Sequence, residues 1–111
     1  MDDTELAREY YRAIDDGDYP RLSDLLADGF VHGRPDRTIE GREAFVAFMQ
    51  SGRPETDTEH VLEAVYEATA GDRVAAEGRL VAPDGTEFGF VDVFIVDDDG
   101  IARLRTYTDD G

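Results

Sequence analysis

The sequence predicts an α+β protein in which three helices precede an antiparallel meander, and three observations carry that expectation. Over the first half of the chain, apolar residues recur at intervals of three and four, the period of one helical face. Over the second half they recur at intervals of two, the period of a strand. Turn signals then arrive regularly, at Ala70-Gly71-Asp72, Pro83-Asp84-Gly85 and 97–100, so that successive strands pair antiparallel. With 111 residues, 41% of them hydrophobic, the chain is expected to form one domain around one core.

Each element has its own justification. Over residues 4–16, Leu6, Ala7, Tyr10, Tyr11, Ala13 and Ile14 share a helical face, and Asp2 with Glu5 supplies the start cap. Asp16-Gly17-Asp18 ends this helix, and Asp18 caps a shorter second one. Pro20 is tolerated there because first-turn amides have no intrahelical acceptor to lose. Leu22, Leu25 and Leu26 form its buried side. After Ala27-Asp28-Gly29 the chain extends through Phe30, Val31 and His32, then enters a polar loop at 33–38 expected to be exposed and mobile. A third helix begins near Gly41 with the stripe Ala44, Phe45, Phe48 and Met49, and Ser51-Gly52-Arg53-Pro54 stops it. Strands are expected at 58–68, 73–82, 87–96 and 101–108.

Composition excludes several function classes. The 27 acidic against 11 basic residues give a formal net charge of −16, which repels nucleic acid and anionic membrane surfaces. Neither is an expected partner. No run approaches the roughly 18 apolar residues of a membrane span, and the first residues are acidic where a secretory signal is basic, so a soluble cytoplasmic protein is expected. Without cysteine there is no disulfide, thiolate or zinc–cysteine site; without lysine there is no Schiff base or Walker-type loop. His32 and His60 are the only imidazoles and lie far apart, so neither metal nor cofactor is expected. The acidic turn at 97–100 lacks the spacing of a calcium loop, and the surroundings of Ser51 are not a nucleophile elbow. Every basic residue is arginine and aspartate outnumbers glutamate, a bias that resembles proteins of extreme halophiles, whose charged surfaces are screened by concentrated salt. An ordinary acidic protein from a GC-rich genome is the alternative.

The strand at 87–96 says more than its neighbours. One face carries Phe88, Phe90, Asp92, Phe94 and Val96, and the other Gly89, Val91, Val93 and Ile95. Both faces are apolar, but three helices cover only one. A second copy of the chain is therefore expected over the other, giving a homodimer through the sheet. Asp92 is a lone carboxylate amid apolar residues, which is costly unless a partner or a function answers it.

Four phrases, YYRAIDDGD at 10–18, LLADGFVH at 25–32, IEGREAF at 39–45 and VDVF at 91–94, occur in an order that resembles the nuclear transport factor 2-like superfamily. That superfamily includes ketosteroid isomerase and the SnoaL-like polyketide cyclases. The resemblance spans 1–111 and implies a cone-shaped barrel, with three N-terminal helices packed on a curved antiparallel sheet of four strands plus a short one. It places Tyr10 at an oxyanion-hole tyrosine and Asp92 at a second donor kept protonated by an apolar site. The isomerase base is missing, because the matching segment reads His32-Gly33-Arg34 with no carboxylate before Asp36. Isomerase activity proper is not expected, and His32 is the candidate replacement base. The hydrolase-like pattern places an arginine two residues before the strand acid, where this chain has Phe90.

Strand parity puts Leu104 and Thr106 in the pocket, and Arg103, Arg105 and Tyr107 on the opposite face. Ile14, Phe30, Phe45, Phe48, Met49, Phe90 and Phe94 are core residues and the expected lining of any ligand cavity. Only one of Tyr10 and Tyr11 is expected to point fully inward, with Tyr10 the better placed, and His60 is expected to be exposed. Two readings stay open. One is an enzyme of isomerase, cyclase or hydrolase type that polarises a hydrophobic small molecule. The other is a dimeric binding module without catalysis, with Asp92 satisfied internally.

Overall fold

The computed structural model describes residues 2–52 and 57–109. Helices α1 (Asp3–Asp15) and α2 (Tyr19–Leu25) are followed by strands β1 (Leu26–Gly33) and β2 (Thr38–Glu40), then α3 (Arg42–Ala47) and a π-helical turn at Phe48–Gly52. Strands β3 (Glu59–Glu67), β4 (Arg73–Ala82), β5 (Gly85–Asp97) and β6 (Gly100–Thr108) complete the chain. Arg53 and Pro54, half of the expected stop to the third helix, lie outside the described residues.

The caps follow the sequence. Asp2 accepts the amide of Glu5 at 2.9 Å and the hydroxyl of Thr4 at 2.8 Å, satisfying a first-turn donor of α1. At the other end Gly17, at φ +69°, turns the chain: its amide reaches the carbonyl of Ile14 and the amide of Asp18 that of Ala13. Those two bonds close a Schellman motif. Asp18 then caps α2 through the amide of Arg21 at 3.2 Å.

The strands form one sheet in the order β2-β1-β6-β5-β4-β3. The expected meander is present from β3 to β6, each strand antiparallel to the next. Three expectations need correction. Among the described residues the sheet has six strands, because the short extended stretch at 30–32 is an eight-residue strand from Leu26 and the end of the polar loop runs into a further strand, Thr38–Glu40. Leu26, assigned by periodicity to the second helix, instead opens β1 and pairs with Ile101. Long-range pairing overrides local pattern here, since β1 lies parallel to β6 across some seventy residues of chain. The sheet is also not a closed barrel: β2 and β3 are its two edges and do not meet.

The helices pack on one face. Ile14, Leu22, Phe30, Phe45, Phe94 and Leu104 are fully buried there. Tyr10 and Tyr11 are both inside, at 4% and 3% exposure, against the expectation that only one would be. They fit because their rings meet edge to face, 5.2 Å apart at 81°. On the opposite face Val91, Tyr66 and Tyr107 are exposed, and Val91 stands beside Tyr107 in register. No helix among the described residues is long and apolar enough to cross a membrane.

Candidate functional site

Asp92 sits in the middle of β5, facing the helices and 5% exposed. Both carboxyl oxygens have protein partners. Tyr11, from α1, donates its hydroxyl to Oδ2 at 2.6 Å, and Thr106, its register partner on β6, donates to Oδ1 at 2.5 Å. Thr106 Oγ1 lies 2.8 Å from Nε2 of His32 on β1. Four elements thus converge on one hydrogen-bonded chain, Tyr11–Asp92–Thr106–His32. When Asp92 is ionised it accepts from both hydroxyls, and Thr106 in turn accepts from the Nε2–H of a neutral His32.

Burial sets the charge states. It raises the Asp92 pKa above the usual carboxylate range; the bonds from Thr106 and Tyr11, then the charges of His60 and Arg34, act the other way. Burial and the neighbouring Asp92 carboxyl push the Tyr11 hydroxyl well above its ordinary value. Burial and the charge of Arg34 pull His32 down to about 4. His32 is therefore neutral at pH 7, and its buried Nδ1 has no hydrogen-bond partner among the described residues.

Asp92 and Thr106 border a cavity of about 260 Å³, together with Tyr10, His32, Arg34 and His60. Its apolar wall comes from Phe48, Met49, Leu80, Phe88 and Phe90, while Thr58 and Glu87 complete it. Of the expected residues, Tyr10, His32, Phe48, Met49, Phe90, Asp92 and Thr106 are brought together here. Ile14, Phe30, Phe45, Phe94 and Leu104 are buried core and do not line it. Tyr11 rather than Tyr10 holds the Asp92 carboxyl, since one step along a helix turns the side chain by about 100°. Tyr10 is packed against Phe45 and Phe94 and borders the same cavity.

His60, expected to be exposed, is 15% exposed at its side chain and tied to Asp15 of α1. Its ring nitrogen Nδ1 lies 2.7 Å from one carboxylate oxygen, and its backbone amide donates to the other at 3.0 Å. The ring packs on Tyr11 and Phe90. Nothing local in the mixed-polarity strand 58–68 signals this contact, which joins residues 45 positions apart. Leu80 and Phe88, also missed as lining, are register partners on β4 and β5. Parity alone places Phe88 beside Phe90 and Asp92. The guanidinium at the cavity belongs to Arg34, from the polar loop, whereas Arg103 and Arg105 are exposed on the other face, as parity required. Among the described residues no group of three or more metal-ligand side chains is assembled.

The arrangement of three helices on a six-stranded, mostly antiparallel sheet among the described residues is an NTF2-like α+β fold, and solved structures agree on it. The chain is similar to Bal32a from a soil-derived mobile gene cassette, with TM-score 0.85 and 24% identity over 97% of this chain and 89% of that one. It is also similar to an NTF2-like protein of unknown function from Cytophaga hutchinsonii, with TM-score 0.84, 18% identity and coverage of 98% and 91%. An LEH-like epoxide hydrolase from M. tuberculosis superposes with TM-score 0.80 and 20% identity, covering 95% of this chain and 80% of that one. No curated protein matches the sequence. Residues 7–104 match the model of the SnoaL-like domain, and the chain belongs to that family.

Proposed function

We propose that the cavity binds a small hydrophobic molecule and that Asp92, in its neutral form, gives a hydrogen bond or a proton to an oxygen of that molecule. The observation that supports this most directly is a buried carboxyl bordering the cavity, its pKa raised by burial and its position held by Tyr11 and Thr106. Each carboxyl oxygen has two lone-pair sites, so one bond at each still leaves room for a proton or a ligand. The reaction class is acid–base chemistry of isomerase, cyclase or hydrolase type. With a volume of about 260 Å³ the cavity falls just below the usual ligand-pocket range of roughly 300–1,000 Å³, favouring ligands of one or two rings.

One observation favours a second reading, a binding module without catalysis: both oxygens of Asp92 already have internal partners. Binding of 4-nitrophenol separates the two. Under the first, Asp92→Asn weakens binding by about tenfold, because an amide is a weaker donor to the ligand oxygen than a carboxylic acid. Equal binding by the variant and the unaltered protein favours the second.

The partner we propose is a second copy of the chain, seated on the exposed face around Val91 and Tyr107. The charge of −16, carried without lysine, fits a cytoplasm rich in salt, where self-repulsion is screened.

A further inference from the structure

We propose that His60, oriented by Asp15, is the general base of this cavity: its Nε2 takes a proton from the ligand while Asp92 attends the oxygen on which negative charge develops. This rests on the acid–base reading above and supplies the base that the segment 32–34 lacks.

The geometry carries it in three steps. The Asp15 carboxylate holds His60 at two points, Nδ1 at 2.7 Å and the backbone amide at 3.0 Å. A carboxylate only accepts, so Nδ1 carries a proton, and in the neutral ring Nε2 is then the nitrogen with a lone pair. The ring is then fixed by Tyr11 and Phe90, whose ring centroids lie 5.1 and 5.6 Å from its own, and it lines the cavity together with Asp92. A positive charge on His60 favours an anion at Asp92, so the two groups act on each other across the same space.

His32 does not meet these requirements. Its Nε2 is engaged by Thr106, its Nδ1 is buried, and it sits deep against Phe45. It is a positioning residue for Thr106, and through Thr106 for Asp92. Among the described residues, the titratable and charged groups that contact His60 or line its cavity are Asp15, Tyr10 and Tyr11 from α1, Asp92 and Glu87 from β5, and His32 with Arg34 from β1 and the turn beyond it.

The test uses 5-nitrobenzisoxazole, a fused bicycle whose ring opening reports a base. The C–H proton passes to His60 Nε2, the C–H electron pair becomes part of a nitrile, the N–O bond breaks, and its electrons leave on a phenolate oxygen. Water then recovers the proton from the imidazolium. The expected result is turnover that His60→Gln lowers roughly 100- to 10,000-fold, the worth of a general base. Asp92→Asn is expected to slow it about tenfold or more, because an amide is a weaker donor than a carboxylic acid, while keeping the fall in rate at low pH that protonation of the base produces. Histidine 15N NMR of the unaltered protein is expected to show the Nδ1–H tautomer at His60, lost in Asp15→Ala.

Turnover unchanged in His60→Gln, or a spectrum with the proton on Nε2, overturns the base assignment even if the variants fold poorly, because the spectrum needs no substitution. Loss of turnover in Asp92→Asn with His60→Gln unaffected removes His60 and leaves the Asp92 reading standing. No turnover by the unaltered protein above buffer overturns the base assignment, and indifference of 4-nitrophenol binding to Asp92→Asn removes the Asp92 reading separately.

Discussion

The hydroxyl of Tyr11 donates to Oδ2 of Asp92 at 2.6 Å, joining a helix near the start of the chain to the longest strand, 81 positions later. Tyr11→Phe removes that donor and leaves a buried carboxyl oxygen unanswered. The expected cost is about 1–3 kcal/mol in urea unfolding. Because the Tyr11 bond is one of the effects holding the Asp92 pKa down, carbon-13 NMR of the carboxyl should show it rising further in the variant.

His32 makes stability depend on pH. Its pKa falls from 6.5 to about 4 in the folded state, so between those values the unfolded chain binds a proton that the native protein refuses. Stability therefore falls as pH drops through this window, by about 3 kcal/mol in all. His32→Gln should flatten that slope in denaturant titrations at pH 4 to 7, while a slope unchanged by the substitution assigns it to other groups.

Asp92 acts with the opposite sign. Its folded pKa is raised above 3.8, so as pH climbs past that value the unfolded chain gives up a proton that the native protein keeps. The carboxyl thus costs stability on the alkaline side, and Asp92→Asn removes the cost. The unfolding free energy of the variant relative to the unaltered protein should increase from pH 4 to pH 7. A constant difference would mean that Asp92 ionises with the same ease folded or unfolded.

Val91 tests the sheet surface. It stands exposed beside Tyr107 on the face opposite the helices. Val91→Asp places a charge in any interface formed there without disturbing the core. Light scattering should show two chains for the unaltered protein and one for the variant, with circular dichroism unchanged.

The net charge of −16 should make the protein salt-requiring. The Tm is expected to rise by several degrees between 0.1 and 2 M KCl as repulsion among the carboxylates is screened. A Tm indifferent to salt would show that the surface charges are spaced too widely to matter.

Local chemistry alone determined much of this molecule. The caps at Asp2 and Asp18, the turn at Gly17, the helix faces and the alternation in β4 to β6 all depend on neighbours within a few residues, so periodicity and capping made them legible. Parity on β5 likewise put Asp92, Phe90 and Phe88 on one face, and parity on β6 added Thr106. Tertiary structure decided what needs long-range pairing. Leu26 joined a strand because Ile101 was there to receive it, the sheet stayed open because β2 and β3 never meet, and Asp92 is answered by Tyr11 because α1 packs with that side chain within hydrogen-bond reach of β5. His60 is the clearest case. No pattern within strand 58–68 marks it, and it becomes a site residue because Asp15, 45 positions earlier, ends α1 beside it. Hydrogen bonds of that kind depend on ångström placement of elements far apart in sequence, which side-chain periodicity does not encode.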